Sequence, residues 1–349
     1  MITENFISCC VYLCLVLVAS LVPLVWGAVK KRRGVKPVNY FPPKGASPMD
    51  VLLHYYGKNA NARNIFNPLM LYWASRGFIT VEEDCKRGLK LTKIKDIEPP
   101  EHGKGFDRET YELEVKLFCH IFKGNKVFYT LGASEKFAEF YDNIMIDFDK
   151  KVKAATTTKT RTLSIVFMIL PMLVLIVESV IIGTTLGSDS GVMVAMIFPI
   201  VGLIFMRFAR LGIPKGLSVR FLLYPFFACW SGIPTALIIS MIPTNAAIIV
   251  LFGIFVAILD IYLITPKYDI RTDEQLKAYS EICGFKQFLL AARADELELM
   301  VEENPNYYFD ILPYCYVLKI TEKLKPKFDK IVMDGPSWYL GELRDTLMF

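Results

Sequence analysis

The sequence predicts an α-helical polytopic membrane protein of five spans, with a cytoplasmic α+β winged-helix-like domain and a helical C-terminal domain. Three observations lead there. Of 349 residues, 53% are hydrophobic, mean hydropathy is +0.37, and the apolar residues gather in long uncharged runs. Five of these runs, 7–29, 163–186, 192–208, 221–241 and 245–264, approach the roughly 20 residues that cross a hydrocarbon core. Basic residues flank the runs on alternate sides only.

The first run is preceded by Glu4 and followed by Lys30, Lys31, Arg32 and Arg33. A signal peptide has its cations in front, so this reads as a retained anchor with its N-terminus outside. Lys150, Lys151, Lys153, Lys159 and Arg161 precede the second run, and Arg207, Arg210, Lys215 and Arg220 separate the third from the fourth. The positive-inside rule then gives an N-out, C-in multi-pass protein of the cell membrane. The expected domains are an anchor (1–29), a cytoplasmic winged-helix-like domain with basic flanks (30–162), a four-span bundle (163–264) and a cytoplasmic helical domain (265–349).

Residues 30–162 open with Pro42 and Pro43, then Ser47, Pro48 and Asp50: an N-cap, a first-turn proline and a capping-box acid. A helix starts there and closes at Gly57. A second begins at Asn67 and Pro68 and stops at Gly77, with Arg76 in its last turn. Phe78 to Val81 and Leu89 to Ile94 flank the polar turn Asp84 to Gly88, which predicts a hairpin. A helix from Asp107 to Phe122, a strand from Val127 to Thr130 and a final helix follow. That helix carries Phe137, Phe140, Tyr141, Ile144, Phe148 and Val152 as one apolar stripe.

Two helices and a hairpin often bind DNA, but the charges oppose it here. Residues 30–162 hold 25 Lys and Arg against 16 Asp and Glu. Without the nine flanking cations the balance is 16 to 16, and the would-be recognition helix offers only Arg76. Nucleic acid is therefore not an expected partner. The bland alternative is a domain that packs against protein, including its own C-terminal tail.

That tail, 265–349, holds 11 basic and 15 acidic residues. Helices are expected over Asp273 to Ile282, Phe285 to Ala292, Asp295 to Glu303 and around Phe309 to Ile320, with breaks at Gly284 and at Asn304 and Pro305. A lysine-rich stretch, Lys319 to Lys330, comes next.

The sequence holds no GxSxG elbow, HExxH, P-loop or Rossmann fingerprint. Its eight cysteines form no CxxC pair, and its three histidines, His54, His102 and His120, have no metal-ligand neighbour at helical spacing. No enzyme, cofactor or metal is expected. The one intramembrane candidate is Glu178, about 22 Å into the second expected span, with Thr235 at about 21 Å in the fourth and Ser231 nearby. A structural hydrogen bond among these three is favoured over a proton or solute path.

Tyr40-Phe41-Pro42-Pro43, Ser47-Pro48, Arg76-Gly77-Phe78-Ile79, Gly284-Phe285-Lys286-Gln287-Phe288-Leu289, Glu302-Glu303-Asn304-Pro305, Leu312-Pro313-Tyr314 and Trp338-Tyr339 occur in this order. Together they resemble the C-terminal part of the bacterial YciQ-like membrane proteins. Members of that family carry an extracytoplasmic β-rich domain ahead of the first span, which is missing here, and Cys315, Tyr316 and Lys319 replace their small residues after Leu-Pro-Tyr. The resemblance implies a winged-helix-like cytoplasmic domain, a helical C-terminus, membrane lipid as a neighbour and a LemA-like protein as a partner. It brings no activity. The expected function is a non-enzymatic scaffold or signalling component of a cell-envelope assembly. The alternatives are a small-solute or proton transporter using Glu178 and a membrane-tethered nucleic-acid-binding regulator.

Overall fold

A computed structural model describes residues 2–33, 38–97, 108–131, 135–186, 244–264, 267–329, 331 and 335–340, with isolated positions between 198 and 240. In chain order its elements begin with α1 (Ile2–Arg33), α2 (Pro48–Tyr56), α3 (Phe66–Ser75), β1 (Ile79–Asp84), β2 (Gly88–Lys93), α4 (Arg108–Ile121), β3 (Val127–Tyr129) and α5 (Glu135–Ala155). They continue with α6 (Thr158–Leu186), α7 (Thr244–Ile258), α8 (Asp273–Ala291), α9 (Ala294–Glu303), α10 (Tyr307–Leu318), α11 (Thr321–Phe328) and β4 (Tyr339–Leu340). The chain divides into two compact units, 1–32 with 157–270 and 33–156 with 271–349.

In the first unit, α6 packs on α7. The segment after α7 is held on both sides. Tyr268 donates its hydroxyl to the Ser20 carbonyl at 2.5 Å, Lys31 pairs with Asp269, and Thr157 and Thr160 donate to the Ile270 carbonyl at 2.5 and 3.1 Å. Gly27 faces the same segment, where a Cβ would stand 3.3 Å from the Asp269 carbonyl oxygen.

The five-span expectation is overturned here. Among the described residues no helix is long and apolar enough to cross a membrane. Over the fifth expected span, α7 has 15 residues, about 22 Å at 1.5 Å per residue against a core of about 30 Å. It then widens into a π-helix, Leu259–Ile264. α1 and α6 are longer, but their described side chains make no apolar window of the required length, and α6 opens on Thr158, Lys159, Thr160 and Arg161. Most of 192–208 and 221–241 lies outside the described residues. The multi-pass cell-membrane location and the N-out, C-in orientation drawn from the spans fall with them. A hydropathy window reads composition alone; helix length and termination are set by neighbours it does not contain.

The second unit keeps the expected helix, helix, hairpin order. Ser47 and Asp50 form the capping box, Ser47 N–H to Asp50 Oδ2 at 2.9 Å and Asp50 N–H to Ser47 Oγ at 3.3 Å. After α3, Gly77 at φ +72° lets Phe78 N–H reach the Trp73 carbonyl at 2.8 Å, the left-handed stop that glycine makes inexpensive. The hairpin turn is set by Asp84, whose Oδ1 accepts from Lys86 N–H at 2.9 Å and Arg87 N–H at 3.0 Å. β1 and β2 pair antiparallel with Val81 opposite Leu91, both fully buried. The sheet then extends on both sides, in the order β3-β2-β1-β4, with β4 parallel to β1.

Residues 271–349 complete the core of this unit. α10 is buried along nearly its whole length and packs on α2 and α3. The break expected at Gly284 does not occur: α8 runs through it. A helical glycine costs about 1 kcal/mol relative to alanine, which the burial of Ile282, Cys283, Phe285 and Leu289 outweighs.

Helix ends in this unit are closed by cations from distant segments. Arg271 donates to the His54 and Tyr55 carbonyls at 2.5 and 3.1 Å, closing α2. Lys286 reaches the Leu318 carbonyl at 3.0 Å, closing α10. Lys327 reaches the Leu289, Leu290 and Ala292 carbonyls at 3.2, 2.9 and 2.6 Å, closing α8. Each contact satisfies carbonyls the helix cannot and opposes the negative end of its dipole. Lys327→Met is expected to cost about 1 to 3 kcal/mol in urea denaturation, whereas the same change at exposed Lys323 stays within about 0.5 kcal/mol.

Candidate functional site

The helix α4 has an apolar face at helical spacing, Leu113, Leu117, Phe118 and Ile121, all buried. Thr110 and Glu114 sit on that same face, 0% and 2% exposed. A carboxylate there needs partners. Trp73 of α3, also 0% exposed, donates its indole N–H to Glu114 Oε1 at 2.7 Å, and the Ser47 hydroxyl is a second hydrogen-bond partner. The Thr110 hydroxyl donates to Asp50 Oδ1, while Asp50 Oδ2 accepts from Ser47 N–H. Tyr314 of α10 donates to the Ala46 carbonyl at 2.8 Å, one residue before the cap. Two carboxyl groups, Asp50 and Glu114, are thus buried together, 3% and 2% exposed.

Burial dominates the electrostatics. It raises Glu114 from the ordinary 4.5 to about 7; the Asp50 charge adds to the rise, and the Trp73 and Ser47 hydrogen bonds oppose it. Because the folded state prefers the neutral carboxyl, this contribution to stability is complete below about pH 4.5. It is lost as pH rises to about 7, a difference of about 3 kcal/mol.

Arg76 lies at the edge of this site. Its guanidinium sits 5.5 Å from the Tyr72 ring centroid and hydrogen-bonds Tyr72 and Tyr314, with Asp310 as its nearby acid. Burial holds the Tyr72 and Tyr314 phenols above their usual range. The Asp310 carboxyl is also raised by burial, against an Asn304 hydrogen bond at 3.3 Å. The single cation of the would-be recognition helix is thus exposed while its guanidinium contacts two phenols of the unit.

Of the sequence-expected site residues, Ser231, Thr235, Arg207 and Arg210 lie outside the described residues. Glu178 lies within α6, and Arg32 and Arg33 end α1, but their side chains are likewise outside the description. The hydrogen bond from Glu178 to Thr235 is thus not among the described contacts. Lys30 lies 5.8 Å from the Trp26 ring centroid, and Lys31 pairs with Asp269. Cys119 is exposed while His120 stacks on Phe140 at 3.6 Å, the divergence that adjacent helical positions impose.

Sequence reasoning found Ser47 and Asp50 as a cap and missed Glu114 and Thr110. The available signal was an acid interrupting the stripe Leu113, Leu117, Phe118, Ile121. No protein-family model, no curated protein and no solved structure matches the chain.

Thr110→Val, close in shape but lacking the hydroxyl, removes a donor from a buried Asp50 oxygen and is expected to cost about 2 to 3 kcal/mol. Thr110→Ser keeps the donor and is expected to lose about 1 kcal/mol for its methyl group. Urea denaturation of the pair at pH 7 measures the difference.

Proposed function

We propose that the chain is a scaffold or signalling component of a multi-protein assembly, gripping a helical partner through the apolar faces of its first unit. The observation that carries this reading is the exposure of those faces. On α1, Val11, Leu15, Val18, Val22 and Val25 are 50 to 60% exposed. Val166, Ile169, Leu173 and Ile176 are exposed on α6, as are Ile248, Leu251, Phe255 and Ile258 on α7. Each set recurs at alternating intervals of three and four residues, the spacing of a seam that receives another helix. Apolar surface of this extent marks an interaction site.

The second unit supports the same reading by what it does with its polar groups. α3, which precedes the hairpin as a recognition helix would, is buried along Pro68, Leu69, Met70, Leu71, Trp73 and Ala74 and is packed by α10. Nucleic-acid binding would need a cationic exposed helix there. The resemblance to YciQ-like proteins puts forward a LemA-like protein as the partner.

Purified alone in aqueous buffer, the chain is expected to self-associate in light scattering. Val18→Gln with Val22→Gln is expected to reduce that association and to abolish cross-linking to the helical partner in native extracts, leaving the melting of the second unit unchanged. A chain that stays monomeric, or that floats with protein-free vesicles and cross-links to no protein, overturns the reading.

A further inference from the structure

We propose that Glu114, set beside Asp50 at the start of α2, is a proton-operated latch for α4: neutral, it holds the helix in the core of the second unit, and ionised, it releases it. The inference stands on placement. Glu114 is the charged side chain by which α4 enters the core, and described groups around it are held by second contacts. From α2, Asp50 is held by Ser47 N–H and by Thr110. From α3, Trp73 has its indole on Glu114 and its ring edge-on to Phe118 at 5.1 Å, and Tyr72 faces Arg76. From α10, Tyr314 is tied to Ala46. From α5, the apolar Ile144 and Phe148 close the core, and on α4 itself Tyr111 reaches the Ile97 carbonyl at 3.5 Å.

The ionisable groups that sense the Glu114 charge are Asp50, Tyr72, Tyr111 and Tyr314. All are acids or phenols. Of the described cations, Arg76 contacts Tyr72, Tyr314 and Asp310, and Lys93 of β2 lies over the Phe118 ring at 5.7 Å. An ionised Glu114 has two hydrogen-bond donors and no countercharge among the acids and phenols that sense it, so the cheapest way to solvate it is to move α4 outward. Only α4 carries the group, so the response is expected there first and not throughout the unit.

The sign follows from burial. With Glu114 raised from 4.5 to about 7, the opening of α4 rises by up to about tenfold per pH unit between those values and levels off above them, up to about 300-fold in all. The test is hydrogen exchange read by mass spectrometry on the full chain at pH 5 and pH 7.5, as protection factors that remove the intrinsic pH dependence. Peptides of 108–121 are expected to lose at least tenfold protection between the two, while peptides of 307–318 lose less than threefold. Glu114→Gln, a permanently neutral mimic of the same shape, is expected to flatten the α4 response. If that variant fails to fold, Asp50→Asn removes one of the two causes of the shift and is expected to shrink the α4 response below that of the unsubstituted chain. The latch is overturned if α4 protection is pH-independent, if α4 and α10 lose protection equally, or if the variants follow the parent profile.

Discussion

The hydrogen bonds at the start of α2 tie together four helices that are far apart in the chain, and the second unit is organised around them. Ser47 and Asp50 cap α2 and also receive Thr110 and Glu114 from α4. Glu114 brings Trp73, hence α3, and Tyr314 brings α10 to the residue before the cap. A helix start has four N–H groups without internal partners, so a cap is needed there in any case. Here the cap is made of the same side chains that bind the neighbouring helices, which makes the helix boundary and the tertiary packing one interaction. A network of this kind is valuable only when complete, because each missing donor leaves a buried oxygen exposed to an apolar medium.

The second unit is also built from two separated pieces of chain. It leaves at Thr156 and resumes at Arg271, and the returning piece supplies Arg271, Lys286 and Lys327 to close three helix ends. Two of those ends involve partners more than 30 residues away and the third more than 200. Gln275 shows the economy of the return: it completes the capping box of α8 with Thr272 and donates to the Ala155 carbonyl at 2.8 Å. The first piece has the ends of α2 and α5 closed by Arg271 and Gln275 of the returning piece, so this unit is expected to fold as a whole, with the late closure of long loops setting its rate.

Short-range chemistry was legible in the sequence. The Ser47-Pro48-Asp50 cap, the stop at Gly77, the Asp84 to Gly88 turn and the apolar stripe of α5 all depend on residues a few positions apart, and each lies where the pattern put it. What was not legible depends on neighbours. Gly284 reads as a break until its surroundings bury it, and β4 is two residues long and exists only through its pairing with Val81 and Glu82. The spans failed for a related reason, since hydropathy cannot see where α7 gives way to a wider helix. For the candidate site, half was readable. Asp50 announced a cap, but its meeting with Thr110, 60 residues later, did not.

The position of α10 bears most directly on what the second unit can do. A helix and hairpin presented to a nucleic acid must leave the helix face free and cationic. Here that face belongs to the core: Leu69, Trp73 and Ala74 are at most 0% exposed, and α10 lies against them with Tyr307, Phe309, Ile311 and Leu312 buried. Removing α10 would not uncover a binding surface, because what lies beneath is apolar and contains the buried acids Asp50 and Glu114. Arg76, the exposed C-cap of α3, hydrogen-bonds two phenols. The helix and hairpin are therefore used here to build a core. In the second unit the polar groups largely satisfy one another, whereas in the first the large apolar side chains of α1, α6 and α7 remain on the surface. An unsatisfied surface, more than a satisfied core, is what a partner can improve on, and this asymmetry places the search for one at the first unit.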